Sequence, residues 1–166
     1  MAENLHIRPA VAADVPAITR IYNEAILTTT ATFDLEPKSE ADRAAWLLER
    51  SPRHPVLVAE VDGQVAGWAS LNPYSDRRAY DDTAETSFYV HSKHRGQGVG
   101  RRLKGAIIAE ARRLRYHTLI ARVAEGSEAS LHLNASFGFV CTGTLKEVGY
   151  KFGQYLDVHF LQLMLE

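Results

Sequence analysis

Apolar and polar residues alternate along several short segments of the chain, and this pattern predicts β-strands. The predicted strands cover residues 5–8, 56–61, 64–69, 84–90, 118–123, 139–148 and 157–165. The dipeptide Asp62-Gly63 separates two of these apolar runs, and Asp-Gly in that position favours a type I′ turn. The second and third strands are therefore predicted to form a β-hairpin.

Apolar residues spaced three or four positions apart predict α-helices between the strands. These helices start near Asp14, at Ser39, after the glycines around position 98, and at Ser130. Asp14 is a candidate N-cap, with Pro16 in the first turn. Ser39 is predicted to cap the second helix. The third helix, to about residue 114, has an apolar face made of Leu103, Ile107, Ile108 and Ala111. The resulting order of elements is β, α, α, β, β, β, α, β, α, β, β.

Gly96, Gly98 and Gly100 lie between the strand 84–90 and the third helix. A helix N-terminus offers unpaired N–H groups and the positive end of a dipole to an anion. Glycine allows a phosphate to approach the backbone closely. The segment is therefore predicted to bind a ligand that carries phosphate groups.

Two common phosphate-binding motifs do not match this segment. A P-loop closes with Gly-Lys-Ser/Thr, whereas Gly100 is followed by Arg101 and Arg102. A dinucleotide-binding fingerprint needs a third glycine where Arg101 stands and an acidic residue about twenty positions further on. That region reads Leu119-Ile120-Ala121. Neither nucleotide class is predicted.

The remaining pattern, Arg95-x-x-Gly98-x-Gly100, resembles the pyrophosphate-binding motif of the GCN5-related N-acetyltransferase superfamily, which binds acetyl-CoA. The order of predicted elements is also similar to the layout of that superfamily. The resemblance implies an α/β fold (α+β in some schemes), formed by a single domain over residues 1–166. A mixed, twisted sheet of about seven strands would carry helices on both faces.

Other segments resemble one type within the superfamily, the phosphinothricin and methionine sulfoximine acetyltransferases. The segments that carry this resemblance include 59–69, 83–90, 131–132 and 149–162. The chain departs from the type at Ser127, Leu133 and Tyr155. The resemblance implies acetyl transfer from acetyl-CoA to the α-amine of a small amino acid or analogue.

Acetyl transfer needs a base for the amine, a donor for the thioester oxyanion and a partner for the leaving thiolate. Glu85 lies inside the strand before the glycines and is the candidate general base, acting through a water molecule. A solvated surface position for Glu85 is the alternative. The resemblance implies a backbone N–H near Val90 as oxyanion donor, on a strand that separates from its neighbour. It also implies that His132 acts as acid or substrate contact, although His132 could equally pack its helix.

Further candidates are assigned to the coenzyme and to the acceptor. The candidate coenzyme-binding residues are Tyr89, Val90, Arg95, Gly96, Gln97, Gly98, Val99, Gly100, Arg101, Ser130 and Asn134. An amino acid presents a carboxylate, which a guanidinium binds through two parallel hydrogen bonds. The candidate acceptor-binding residues are Arg77 and Arg78, with Phe33, Trp68 and Tyr74 as pocket walls.

The charge balance gives no indication of a nucleic-acid partner, because 19 Lys and Arg residues face 20 Asp and Glu residues, for a net charge of −1. His91 and His94 form a close pair with no third ligand in view, so no metal site is predicted. Cys141 is the single cysteine and is predicted to be a buried core residue. Residues 1–6 lack the features of a signal peptide, and no apolar run is long enough to span a membrane. A cytoplasmic location is expected.

Two other functions fit parts of this pattern. One is acetylation of peptide N-termini or of polyamines, although a polyamine pocket should be acidic and the loop at Arg77 and Arg78 is basic. The other is a coenzyme A-binding sensor without catalysis, against which Glu85 argues. The resemblance alone implies a homodimer with the active site at the interface.

Overall fold

Seven strands form one sheet in the computed structural model, which describes residues 4–166. The strands are β1 (Leu5–Pro9), β2 (Val56–Val61), β3 (Gln64–Pro73), β4 (Thr83–Val90), β5 (Thr118–Ala124), β6 (Val140–Lys151) and β7 (Gln154–Met164). Their order across the sheet is β1-β2-β3-β4-β5-β7-β6. β4 and β5 run parallel to each other, and the other neighbouring strands in the described residues run antiparallel. The predicted mixed sheet is confirmed. The interpretation of residues 1–6 falls partly outside the described residues.

Helices cover both faces of this sheet, as predicted. The helices are α1 (Val15–Thr28), α2 (Glu40–Leu48), α3 (Val99–Arg113) and α4 (Glu128–Ser136). Alternate residues of the central strands face opposite sides, so Val58 packs with α1 while its neighbour Ala59 packs with α3. The apolar stripe that the sequence predicted for the third helix is buried against β2, β3 and β4. The core therefore consists of two apolar layers, one on each side of the sheet.

Local turn chemistry explains two of the predicted features and corrects a third. Asp62 and Gly63 have φ angles of 50° and 79°, as a type I′ turn requires. Ser39 Oγ accepts a hydrogen bond from Asp42 N at 3.0 Å, which confirms the cap of α2. Asp14 is the N-cap residue of α1, as predicted, but its side chain makes no capping hydrogen bond to the helix. Its carboxylate instead accepts from Val11 N at 2.8 Å and pairs with Arg8 at 2.8 Å.

The prediction that Cys141 is a core residue is wrong. Cys141 lies on β6, which is the edge strand of the sheet, and its side chain is exposed. An apolar run predicts a strand, but the run alone does not tell whether the strand is covered on both faces.

The parallel strands β4 and β5 stay together for only a short distance. They pair from Thr83 with Thr118 to Glu85 with Ile120. Both strands then continue, β4 to Val90 along β3 and β5 to Ala124 along β7, without pairing to each other. The separation implied by the family resemblance is therefore present, and it opens a wedge in the middle of the sheet.

Candidate active site

Three adjoining spaces occupy the wedge between β4 and β5. A long groove of about 1000 Å³ runs along the glycine turn and α4. An inner cavity of about 410 Å³ lies behind it, and a side pocket of about 390 Å³ lies beyond the inner cavity. Phe88, Tyr89 and Ser130 line both the groove and the inner cavity. Glu85 and Arg122 line both the inner cavity and the side pocket.

The glycine turn forms one wall of the groove. Gly96 and Gly98 have φ angles of 74° and 86°, in the left-handed region that glycine adopts without strain. Gly98 is the N-cap of α3, so the first N–H groups of that helix lie at the groove. A Cβ atom on Gly100 would lie 3.3 Å from Cε2 of Phe88, a tight contact that would require the Phe88 ring to shift. The turn thus presents an unobstructed helix N-terminus.

Glu24 of α1 holds the beginning of the turn in place. Its carboxylate accepts hydrogen bonds from Ser92 N at 2.8 Å and Ser92 Oγ at 2.9 Å. Burial opposes the charge, but the hydrogen bonds from Ser92 outweigh it and lower the pKa of Glu24. Arg95 comes directly before Gly96, with its terminal nitrogen 3.5 Å from Glu24, and its Nε donates to Val90 O at 3.3 Å. No feature of the sequence indicates this role for Glu24, because Glu24 lies 68 positions before Ser92.

The structure brings most of the candidate coenzyme residues to the groove or the inner cavity. Those lining the groove are Tyr89, Val90, Arg95, Gly96, Gly98, Val99, Gly100, Arg101 and Ser130. Asn134 lines the inner cavity instead. Gln97 turns back onto its own loop, where its side chain donates to Lys93 O at 3.2 Å, and it does not line the groove.

Helix α4 places its three candidate residues on two different sides. Ser130 and Asn134 are one turn apart and face the inner cavity, and Asn134 Nδ2 donates to Ser130 O at 2.8 Å. His132 lies half a turn away, is exposed, and lines only the outer groove. The structure therefore does not bring His132 to Glu85. A helix period of 3.6 residues explains this placement, since residues two apart point in nearly opposite directions.

Glu85 forms an ion pair with Arg122 that sequence analysis did not anticipate. Arg122 Nε and its terminal nitrogen each donate to a different carboxylate oxygen of Glu85, both at 2.8 Å. The hydrogen bonds to Glu85 raise the pKa of Arg122 above its ordinary value. A charged residue within the apolar run 118–123 was the signal available in the sequence.

The candidate acceptor residues divide into three groups. Phe33 lines the inner cavity, and its ring occupies the space where Gly149 has no side chain. Tyr74 and Arg77 line the side pocket. Trp68 is instead buried in the layer under α1, and Arg78 is exposed and lines no part of these three spaces. Trp68 is inward because its position on β3 alternates toward the α1 side of the sheet.

Lys104 is an unexpected buried charge beside the inner cavity. Its side chain is almost completely buried on α3, and Nζ donates to Thr86 Oγ1 at 2.6 Å. Nζ also lies 4.2 Å from the centre of the Phe139 ring. Within residues 4–166, no carboxylate lies within ion-pair distance of Nζ. Burial therefore lowers the pKa of Lys104 to about 7.

Two classes of site have no counterpart in the part of the chain that the structure describes. No group of three or more His, Cys, Asp or Glu side chains between residues 4 and 166 is arranged to hold a metal ion. The helices in the same residues are too short or too polar to cross a membrane.

The sequence profile of the acetyltransferase (GNAT) family matches residues 18–139. The chain belongs to this family. It is 41% identical to the L-amino acid N-acyltransferase MnaT of Escherichia coli K12, over 98% of this chain and 95% of that protein. It is also 41% identical to an L-methionine sulfoximine/L-methionine sulfone acetyltransferase of Salmonella typhimurium, over 96% and 94%. A phosphinothricin N-acetyltransferase of Streptomyces viridochromogenes is 36% identical, over 95% and 86%.

Solved structures of the family share the same fold. The protein yncA from Salmonella typhimurium, determined with its cofactor acetyl-CoA, has a TM-score of 0.95 and 40% identity, and the match covers 99% of this chain and 95% of that one. A ribosomal-protein-alanine N-acetyltransferase from Brucella melitensis has a TM-score of 0.93 and 43% identity, over 96% and 99%. The protein is therefore an acyltransferase of GNAT architecture.

Proposed function

We propose that the protein transfers the acetyl group of acetyl-CoA to the α-amine of a small amino acid or amino-acid analogue. Phosphinothricin and methionine sulfoximine are the first acceptors to consider, because relatives named for them match nearly the whole chain. The observation that carries the proposal is the position of Glu85, whose carboxylate lies between the inner cavity and the side pocket. Sequence similarity to relatives named for these acceptors supports the substrate class. The position of Glu85 between the two spaces supports the reaction.

The groove suits the long, phosphorylated coenzyme. The positive end of α3 and the N–H groups near Gly98 and Gly100 favour a pyrophosphate, and Arg95 and Arg101 add positive charge. The groove meets the inner cavity at Phe88, so an arm that enters along it reaches the separated edge of β4. We assign His132 to contact with the coenzyme in this groove, because the helix turns it away from the inner cavity.

The chemistry follows from the groups around the inner cavity. Glu85 accepts a proton from the ammonium of the acceptor, directly or through a water molecule, and the neutral amine attacks the thioester carbonyl carbon. β4 has no strand partner beyond Glu85 on the side of β5, so an N–H near Val90 is available to the oxyanion. The C–N bond forms and the C–S bond breaks, the attacking nitrogen gives its second proton through solvent to the leaving sulfur, and the coenzyme leaves as its free thiol.

The experiment is free-thiol release from acetyl-CoA with phosphinothricin, methionine sulfoximine and the twenty amino acids as acceptors. The proposal expects rapid release with at least one of these acceptors. Release only with peptides would favour the second candidate, acetylation of protein N-termini, which the 43% identity to a ribosomal-protein-alanine N-acetyltransferase supports. Tight binding of acetyl-CoA without release on any amine, polyamines included, would indicate a sensor and contradict the proposal.

The coenzyme site gives a prediction with an internal control. Gly96 and Gly63 both have positive φ angles, and a Cβ atom on either would meet nothing within 4 Å. Gly96→Ala and Gly63→Ala should each destabilise the fold by about 1–2 kcal/mol, since an L-residue is strained there. Gly96→Ala should in addition weaken acetyl-CoA binding about tenfold, because its methyl group enters the groove. Isothermal titration and urea unfolding of both variants measure the two effects, and equal coenzyme affinities would contradict this assignment.

We further propose that two copies of the chain associate through β6 and β7. Large apolar side chains are exposed along this hairpin, whereas the surface of a soluble monomer seldom carries a contiguous apolar patch of this kind. They are Val140, Leu145, Val148, Tyr150, Phe152, Tyr155 and Met164. A second copy of the same hairpin would cover these side chains in a symmetric dimer.

This association predicts a specific change in sedimentation. Val148→Asp should convert a dimer into a monomer at micromolar concentration, because the new carboxylate would be buried in the interface without a partner. Leu48→Asp changes an equally apolar, exposed residue at the end of α2 and should leave the dimer intact. Analytical ultracentrifugation distinguishes the two species. A monomeric parent protein would refute the association.

A further inference from the structure

The Glu85–Arg122 ion pair separates the inner cavity from the side pocket. Both of its residues line both spaces. The Arg122 side chain is 55% exposed, whereas that of Glu85 is 15% exposed. The guanidinium therefore faces the solvent side, and the carboxylate faces the interior. Opening this pair would join the two spaces at the carboxylate that the proposed function uses as a base.

The charges of the pair match those of a free α-amino acid. An α-amino acid carries an ammonium and a carboxylate on the same carbon, and Glu85 and Arg122 present a carboxylate and a guanidinium side by side. Guanidinium binds a carboxylate through two parallel hydrogen bonds, the geometry that Arg122 already makes with Glu85. An acceptor carboxylate can thus take over the same donors.

We propose that Arg122 is the residue that binds the acceptor's carboxylate, and that the acceptor replaces the Glu85–Arg122 pair with two pairs of its own. This inference rests on the proposed function and adds its acceptor-recognition residue. The acceptor carboxylate moves onto Arg122, and the acceptor ammonium moves onto Glu85. The base is then released next to the proton that it has to accept.

The exchange also explains how the site would select amino acids. A zwitterionic amino acid forms one ion pair with Glu85 through its ammonium and one with Arg122 through its carboxylate. A simple amine, an amide or a polyamine would separate Glu85 from Arg122 without replacing the two charge-assisted hydrogen bonds that Arg122 makes with Glu85. Preference for a free carboxylate is therefore a property of the pair itself.

Arg122 is better placed for this role than the two arginines singled out in the sequence. It lies on β5, which is hydrogen-bonded to β7 along its whole length, whereas Arg77 lies on an exposed loop. Rigid elements hold binding groups more accurately than loops. Arg77 lines the side pocket without lining the inner cavity, and Arg78 lines neither. Tyr74 and Tyr80 form the opposite wall with their rings 5.2 Å apart.

The test compares one accepted amino acid with its primary amide, which keeps the amine and loses the carboxylate charge. kcat/KM is measured for both acceptors with the parent protein, Arg122→Gln and Arg77→Gln. Arg122→Gln should lose about 30- to 100-fold on the acid and less than about threefold on the amide, as expected for loss of a bidentate pair to a charged substrate group. The loss should appear mainly in KM. Arg122→Lys should recover part of the activity on the acid.

Comparing acid and amide within each variant cancels any general damage to the fold or to Glu85. An equal loss on both acceptors would overturn the proposal, because Arg122 would then act only by positioning Glu85. A selective loss in Arg77→Gln instead of Arg122→Gln would assign the carboxylate to the loop and would also overturn it. If the parent protein acetylates no amino acid at all, the proposed function fails first, and the role of Arg122 fails with it.

Discussion

Glu85→Gln is expected to lower kcat for acetyl transfer by about 10²- to 10⁴-fold, the usual contribution of a positioned general base. Glutamine keeps the size and the hydrogen-bonding shape of the side chain but cannot accept the ammonium proton. The coenzyme groove does not include Glu85, so the dissociation constant of acetyl-CoA should stay within about twofold of that of the parent protein. Thiol release under saturating acceptor and isothermal titration with acetyl-CoA measure the two quantities.

The chain contains a matched control for this substitution. Glu60 also lies on a strand of the sheet and pairs with an arginine, Arg8, at 2.9 Å. It is on β2, away from the three spaces of the wedge. Glu60→Gln therefore removes the same kind of ion pair without touching the site, and kcat should remain near the parent value. A Glu85→Gln enzyme with unchanged kcat would remove Glu85 from the mechanism, whatever the fate of the coenzyme site.

Features that depend on a few neighbouring residues could be predicted from the sequence. The hairpin at Asp62-Gly63 and the glycine turn are set by backbone conformations that glycine adopts readily. The strand Thr83–Val90 and the helix Val99–Arg113 follow from apolar periodicity. Because the family resemblance rests on the same local features, the fold and the position of Glu85 were both accessible before the structure.

Features that depend on the register between distant segments could not be predicted from the sequence. The pairing of Glu85 with Ile120 is what brings Arg122 within reach, and the sequence alone does not fix this register. The four-residue spacing of Ser130 and Asn134 predicts that they share one face of α4. Tertiary packing decides which face of the helix points to the inner cavity, and the sequence does not show this. His132 was chosen for its chemistry, and the sequence alone did not indicate that it lines the outer groove and not the inner cavity.

The buried apolar face of α3 contains one charged residue, Lys104, and its position on that face could be predicted from the sequence. Lys104 is four residues before Ile108 and seven before Ala111, so it lies on the buried face that those residues define. Long side chains usually carry their charge out to solvent, but here the surrounding helix, β4 and Phe139 cover the amine as well.

The buried amine should make the stability of the protein depend on pH. The pKa of Lys104 is about 7 in the folded protein and near 10.5 when the chain unfolds. Between these values the unfolded state binds more protons than the folded state, so stability rises with pH. The free energy of unfolding should increase by about 2–3 kcal/mol from pH 7 to pH 9, at 1.36 kcal/mol per unit. Urea unfolding at the two pH values measures the increase.

Lys104→Met should remove most of this dependence. Methionine fills a similar volume without a charge, so the variant should be more stable than the parent protein at pH 7, by about 2–4 kcal/mol after the lost hydrogen bond to Thr86 is counted. This stability difference between the variant and the parent protein should shrink as the pH rises, because burial of Lys104 costs the parent protein less when the amine is neutral in the unfolded chain as well. Lys93→Met, at an exposed lysine, should follow the parent curve at both pH values. A Lys104→Met curve with the same slope as the parent protein would show that the amine finds water or a counter-charge in solution.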